Sequence, residues 1–303
     1  MIYLPTLKNL LRITGRLANN KKFHKSILSY VLACIGCLTA CQQNSERKPE
    51  SKSGFNLYSN EVKDTFSIYI QKPLEYEEKA KSTYPLVVVT DANFYFPMLA
   101  PIVHQFEQTG LMKPIILVGV GYDSLEKMDS LRVRDFLYPH SIASDEMQAE
   151  GGARRFQAFL ANELLPGLAD SLRLNTDKVL LGHSFGGYFS LLTYFEQVRS
   201  GASNFNKFVS ASPTIWYNDF YLNRLTDSLK NNGKQDSTAI YLSVGGLEDS
   251  VWYVKPAEVM AEKLSSDAVK NLDCTSITYR EMDHMDVGLF SFIHALKNWY
   301  KQD

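Results

Sequence analysis

Cysteine is scarce in this chain, and its distribution leaves little room for disulfide chemistry. The 303 residues include four cysteines, three of which, Cys34, Cys37 and Cys41, lie near the N-terminus, with Cys274 far from them. If the N-terminal segment is cleaved and Cys41 is modified, Cys274 has no partner within the chain. An intramolecular disulfide is then excluded, and stability must come from a packed core.

Acidic residues are absent from the first 40 positions, which instead carry six basic ones: Lys8, Arg12, Arg16, Lys21, Lys22 and Lys25. The whole chain has 32 basic and 33 acidic residues, so 26 basic residues remain against 33 acidic ones, a net charge of −7, once residues 1–40 are set aside. No basic stripe interrupts this acidic remainder. The composition therefore gives no electrostatic reason to expect a nucleic-acid partner.

Long apolar runs are also lacking. The run 27–38 is shorter than the roughly 20 apolar residues that span a bilayer. It follows a basic stretch and precedes the small residues Thr39 and Ala40, which is typical of a signal peptide over residues 1–40. Leu38-Thr39-Ala40-Cys41 resembles a bacterial lipobox, so Cys41 is the expected lipidation site, with a chance cysteine as the alternative.

The predicted destination is the bacterial cell envelope, with the protein held by its lipid anchor. Gln42 follows the lipidated position, and it is not the aspartate that resembles an inner-membrane retention signal. This favours the outer membrane and leaves the periplasmic and surface sides both open. The polar residues 41–54 form the expected tether, because they offer no large apolar side chain to a core.

Residues 55–303 are expected to form one catalytic domain of the α/β class. Short β-rich runs alternate with stretches of helical spacing, which predicts a mainly parallel central sheet with helices on both faces. Pro166 is expected to end the first helical stretch, and 122–152 is expected to be a long excursion over the sheet's carboxyl edge. The predicted strands are 65–70, 85–90, 115–121, 178–181, 239–244 and 275–281, and the helical stretches are 156–164, 256–264 and 289–300.

The pentapeptide GHSFG at 182–186 is the strongest chemical signal in the sequence. A buried strand precedes it and an apolar helix follows, which is the arrangement of a nucleophile elbow. Tight turns of this kind require glycines around a strained serine. Ser184 is therefore the candidate nucleophile.

A serine nucleophile needs a base and an orienting acid, which follow it along the chain in such sites. Of the two histidines beyond Ser184, His284 lies in a predicted loop before the last helix and is favoured over His294, which lies inside that helix. The acid is expected after strand 239–244, where Glu248 is chosen and Asp249 remains the alternative.

Two backbone donors must stabilise the oxyanion of a tetrahedral intermediate. The amide of Phe185 follows the nucleophile, and the amide of Asn93 lies in the expected turn after strand 85–90. No metal or organic cofactor is implied.

Together these residues resemble the putative esterase family of α/β-hydrolases, which includes esterase D, feruloyl and acetyl esterases, mycolyltransferases and enterobactin esterases. The resemblance implies an α/β-hydrolase fold and gives Ser184, Glu248 and His284 the triad roles. Ala92 departs from the glycine common in the family. The matching segments are YPLVVVTDANFYF (84–96), GGARRFQAFLANELLP (151–166), GHSFGGYFSLL (182–192), SASPTIWYN (210–218), VGGLED (244–249) and the surroundings of His284.

The resemblance also implies that Trp216 and Arg134 line the substrate pocket. Their simpler interpretations are a packed core aromatic and a partner in a surface ion pair.

The expected activity is hydrolysis of a carboxylic ester through an acyl-enzyme. The substrate remains open among siderophore, feruloyl or acetyl, and short-chain esters, and the oligomeric state is also open. A non-catalytic binding lipoprotein with the same fold is the alternative, because fold alone does not guarantee activity. A peptidase that shares the triad is disfavoured.

Overall fold

The computed structural model describes residues 54–76, 81–229, 237–266 and 271–302. The predicted signal peptide, the lipidation site Cys41 and the tether up to residue 53 lie outside these ranges. No helix within them combines the length and apolarity that crossing a bilayer requires. The extent of the catalytic domain stays a prediction.

Eight strands form one mainly parallel sheet in the order β1-β2-β4-β3-β5-β6-β7-β8. Only the β1–β2 and β2–β4 pairs are antiparallel among the strand pairs of the described residues. The expected fold class is confirmed. The strands are β1 Gly54–Ser59, β2 Asp64–Gln71, β3 Tyr84–Val89, β4 Ile116–Gly121, β5 Leu174–His183, β6 Lys207–Ala211, β7 Thr238–Gly245 and β8 Leu272–Tyr279.

Helices connect the strands, and two of the helical stretches include a turn with π geometry. The helices are α1 Ala92–Gln108, α2 Leu125–Phe136, α3 Ala153–Phe159, α4 Leu165–Ser171, α5 Phe185–Ser200, α6 Tyr217–Leu229, α7 Lys255–Leu264 and α8 His284–Tyr300. The π turns are Leu160–Leu164, between α3 and α4, and Ser250–Val254, before α7.

The central strand β3 explains why helices cover both faces of the sheet. Its side chains alternate between the faces because a strand has a two-residue period. Leu86 and Val88 pack in the apolar cluster that includes α3, α5 and α7, whereas Val87 and Val89 pack with α1 and α8. All four are fully buried, which accounts for the continuous apolar run in the sequence.

The expectation that Pro166 ends a helix is wrong. The chain continues as α4, with Pro166 at its start. A proline near the beginning of a helix is tolerated because amides there need no helical partner.

Two further boundaries differ from the expectations. Segment 122–152 is not wholly irregular, since it contains α2, whose N-terminus is capped by Ser124 through the amide of Lys127. The last helix begins at His284 rather than at residue 289, because Asp283 and Asp286 form a capping box there. His284 therefore lies in the first turn of α8 and not in a loop.

Candidate active site

Ser184 lies at the sharp turn between β5 and α5 in a conformation that L-residues rarely adopt, with φ 58° and ψ −117°. Such backbone strain costs on the order of 1–3 kcal/mol and persists only where neighbours fix the chain. Here the Ser184 amide donates to the carbonyl of Ala211 at 2.9 Å, and its carbonyl accepts from the Tyr188 amide at 2.9 Å. The turn presents the serine at the carboxyl edge of the sheet.

The glycines of the pentapeptide are required by close backbone approach. A Cβ at Gly182 would overlap the carbonyl oxygen of Gly186. A Cβ at Gly186 would lie 2.7 Å from Thr90 Oγ1, on the turn that follows β3. The elbow and the β3 turn are therefore packed directly against each other.

His284 and Glu248 meet at this edge. Nδ1 of His284 lies 2.7 Å from Oε2 of Glu248, whose side chain is only 1% exposed, whereas that of His284 is 29% exposed. The other carboxylate oxygen of Glu248 accepts from the amide of Gly245 at 2.6 Å. The buried carboxylate is thus paired with the imidazole and anchored to the end of β7.

The neighbouring carboxylate has a different partner. Asp249 accepts from the amides of Val251 and Trp252 at 2.8 and 2.9 Å, and so caps the π turn before α7. Of the two acids that the sequence offered, Glu248 is the one in contact with His284.

Sequence reasoning missed Ser212, a buried serine just after β6. Its hydroxyl donates to Glu248 Oε2 and lies 2.8 Å from Nδ1 of His284. Ser212 falls within the segment SASPTIWYN, but nothing in the local pattern connects it to an acid 36 residues away.

His183, beside the nucleophile, was also missed. Its Nε2 donates to the carbonyl of His284 at 2.7 Å, and the two rings are 4.7 Å apart. Burial, with a smaller contribution from the charge of His284, lowers the pKa of His183 to about 3. A neutral His183 therefore ties the elbow to the first turn of α8.

The two expected oxyanion donors lie at the N-termini of two helices. Phe185 is the first residue of α5, and Asn93 is the second residue of α1 rather than part of an open turn. Amides in the first turn of a helix have no acceptor within it. The strands that precede these helices, β3 and β5, are parallel neighbours in the sheet, so the N-termini of the two helices lie at the same edge of the sheet.

Side-chain contacts hold the α1 turn in place. Asn93 exchanges two hydrogen bonds of 2.6 Å with the backbone of Tyr122. Asp91, with φ 52°, accepts both arms of the Arg132 guanidinium at 2.9 and 2.8 Å. Arg132 also donates to the carbonyl of His183 at 3.3 Å. One arginine therefore links the turn after β3 to the elbow.

The structure places Arg134 in ion pairs, one of which is with the buried Asp135 and is therefore not at the surface. Its guanidinium binds Asp64 and Asp135, each at 2.8 Å. The pocket role of Arg134 stays a prediction, and Arg132 is the arginine that contacts the turns around Ser184.

Trp216 is half-buried and belongs to a group of aromatic side chains near His284. Its ring lies 6.4 Å from that of Trp252, which is 51% exposed and parallel to Phe220 at 6.5 Å. The ring of Tyr253 lies 4.9 Å from that of His284. We call Trp216, Phe220, Trp252 and Tyr253 the aromatic group.

Metal ligation has no candidate here: across the parts of the chain that the structure describes, no cluster of three or more His, Cys, Asp or Glu side chains could hold an ion.

Comparison with known proteins shows that the chain is similar to esterases. A family model described as "Putative esterase" matches residues 59–299. The ferri-bacillibactin esterase BesA of Bacillus subtilis is 28% identical over 198 residues, which are 61% of this chain and 66% of the relative. The siderophore enterobactin esterase of Emericella nidulans is 30% identical over 128 residues, 38% of this chain and 40% of the relative. Both alignments cover less than two thirds of the relative's own length.

A solved structure has a fold similar to that of this chain. The crystal structure of the BES protein from Bacillus cereus matches with a TM-score of 0.71 and 25% identity, covering 82% of this chain and 94% of that one. Since the family model matches most of the sequence, the chain belongs to the putative esterase family, and the solved structure shows that it has the α/β-hydrolase fold.

Proposed function

We propose that this protein is a serine carboxylic-ester hydrolase that acts through an acyl-enzyme. Ser184 is the nucleophile, His284 the general base and Glu248 the orienting acid. The observation that carries the proposal is the 2.7 Å contact between the buried carboxylate of Glu248 and Nδ1 of His284. Ser184 lies in a strained elbow, and its neighbour His183 donates to the carbonyl of His284.

In the first half of the reaction, Ser184 attacks the ester carbonyl. The Nδ1–H of His284 donates to Glu248, so Nε2 is the ring nitrogen free to accept the serine proton. The tetrahedral oxyanion is stabilised by the amides of Phe185 and Asn93, each contribution being worth about 3–4 kcal/mol in comparable sites. His284 then protonates the leaving alcohol, and the acyl group stays on Ser184.

In the second half, His284 takes a proton from water, and the resulting hydroxide attacks the acyl-enzyme. Collapse of the second tetrahedral intermediate returns the proton to Ser184 and releases the acid. Each step uses only groups of this chain and water, and the carboxylate of Glu248 stabilises the imidazolium without taking its proton.

The substrate class we propose is a siderophore ester. One relative is named a ferri-bacillibactin esterase and another a siderophore enterobactin esterase, and the aromatic group gives the planar rings of a catecholate a surface on which to stack. Feruloyl, acetyl and short-chain esters are the competing substrates.

A panel of ester substrates tests both the hydrolase activity and the proposed substrate class. Hydrolysis of a catecholate trilactone, feruloyl and acetyl esters and p-nitrophenyl acetate is measured for the wild type and for Ser184→Ala. We expect hydrolysis that depends on Ser184, with the largest kcat/KM for the catecholate ester. A preference for another ester would overturn the substrate class alone. No hydrolysis of any ester by the folded wild type would favour the non-catalytic binding lipoprotein.

We also propose that the protein is a bacterial envelope lipoprotein, anchored through Cys41 after removal of residues 1–40. The support is the sequence pattern alone. A lipidated cysteine would anchor the protein stably, because two or more acyl chains hold a protein at a membrane where a single chain does not. In a bacterial host, Cys41→Ser is expected to move the protein from the membrane fraction to the soluble fraction. Membrane retention of that variant contradicts the anchor.

A further inference from the structure

We propose that Ser212 is a positioning residue of this site, holding Glu248 and His284 in the relative orientation that acyl transfer needs. The inference rests on the proposed function and adds a fourth side chain to its triad. Ser212 acts through the other two residues and does not touch the ester.

Three atoms form a closed triangle of contacts. The Ser212 hydroxyl donates to Oε2 of Glu248, and Nδ1 of His284 lies 2.8 Å from Ser212 Oγ and 2.7 Å from Oε2. The hydroxyl has one proton, which goes to the carboxylate. The Nδ1–H of the imidazole is then shared between the two oxygens, which fixes both the tautomer and the plane of the ring.

Ser212 also completes the hydrogen bonding of a buried charge. Glu248 receives three donors: the amide of Gly245 on Oε1, and Ser212 and His284 on Oε2. With the side chain 1% exposed, water cannot readily replace a donor that is removed. Loss of the hydroxyl therefore leaves the carboxylate under-satisfied and free to reorient.

The backbone at this position does not by itself call for a serine. Ser212 has φ 41°, which disfavours an ordinary L-residue there. Its amide donates to the carbonyl of Ser243 at 2.7 Å, which holds the conformation in place. Glycine would adopt the same φ without steric cost, so the hydroxyl is what a serine adds.

The consequence for catalysis is specific. Ser212 is fully buried, so its removal should not change contacts to the ester and KM should stay close to the wild-type value. A misplaced base slows proton transfer, and displacements of about 1 Å can cost on the order of 100-fold in rate. We therefore expect the loss of the hydroxyl to appear in kcat.

The test compares Ser212→Gly and Ser212→Ala with the wild type, using p-nitrophenyl acetate hydrolysis and thermal unfolding. Both variants should lower kcat by roughly 10- to 100-fold with KM nearly unchanged. Ser212→Gly should be at least as stable as Ser212→Ala, because glycine accepts the positive φ. Ser59→Ala is the matched control, since it removes another buried serine hydroxyl, which accepts a hydrogen bond from the Val62 amide at 3.0 Å at the end of the edge strand β1, and it should leave kcat unchanged.

A double-mutant cycle separates positioning from a general structural effect. If Ser212 acts through the acid, Ser212→Gly should have little further effect once Glu248→Gln is present, because residues of one unit are non-additive. Full additivity, or wild-type kcat in Ser212→Gly, would overturn the Ser212 inference while Ser184→Ala stays inactive. Undiminished hydrolysis by Ser184→Ala would instead overturn the proposed function.

Discussion

Among single residues, the two adjacent acids Glu248 and Asp249 have different hydrogen-bond partners. Glu248 points to His284, and Asp249 turns back to cap the next turn of the chain. The sequence narrows the candidates for the orienting acid to these two residues, and a short loop cannot direct both side chains at one imidazole. Only the packing of β7 against the first turn of α8 determines which of the two acids contacts His284.

This division of roles gives a matched pair of variants. Glu248→Gln is expected to lower kcat by roughly 10²–10⁴-fold, because an amide can stabilise the wrong tautomer of His284 and carries no charge to balance the imidazolium. Asp249→Asn should keep most of the activity, because asparagine also caps helices well. Steady-state hydrolysis of p-nitrophenyl acetate measures both, and equal losses in the two variants would contradict the assignment.

The buried His183 predicts an acid sensitivity of stability. Its pKa falls from an ordinary 6.5 to about 3 on folding, chiefly through burial. The unfolded chain therefore binds a proton that the folded chain excludes, and stability is lost as the pH falls below 6.5. Between pH 7 and pH 5 this single group costs about 2 kcal/mol of the free energy of unfolding.

Urea unfolding at the two pH values measures this cost. His183→Gln, whose amide can still donate to the carbonyl of His284, should lose less stability than the wild type on acidification, by about 2 kcal/mol. An identical pH dependence of the two proteins would show that His183 titrates normally in the fold.

Sequence reasoning reached Ser184 and His284 because chain order and flanking elements mark them. It could not reach His183 or Ser212 as partners of the site. Their contacts join positions 101 and 72 residues apart, and no local pattern encodes that proximity.

At the scale of elements, the central unit is β5, the elbow and α5. Its strand and helix were predictable from an apolar run on each side of the pentapeptide. In contrast, α1 was not predicted, since Pro97 and Pro101 lie inside it and interior prolines normally argue against a helix. The short strand β6 was missed for lack of a clear period.

The elbow predicts a sharp contrast between two glycines. Gly182→Ala is expected to destabilise the fold by more than about 3 kcal/mol, since the added Cβ would overlap the backbone of Gly186 and neither can move easily. A Cβ at Gly167, in α4, would have no atom within 4 Å apart from its chain neighbours and the backbone of its own helix, so Gly167→Ala should instead gain roughly 0.5–1 kcal/mol from helix propensity. Chemical denaturation compares them, and a Gly182→Ala variant of wild-type stability would contradict the close approach.

At the scale of the whole molecule, the sheet explains why distant segments meet. Five neighbouring parallel strands, β3 and β5 to β8, end at one edge, and the segments after them carry Asn93, Ser184, Ser212, Glu248 and His284. The alternation of strands and helices was enough to predict this architecture. The sequence could not show which arginine lies beside the nucleophile, because Arg132 and Arg134 are only two residues apart. Only the tertiary fold brings Arg132 to the elbow.

The proposed mechanism requires Ser184 to be an activated nucleophile. The most direct measurement is reaction with a fluorophosphonate, followed by peptide mass spectrometry of the wild type and of Ser184→Ala. We predict one covalent adduct per chain, located on Ser184, and no adduct on the variant. A folded wild type that stays unlabelled, or a variant labelled to the same extent, would contradict the claim.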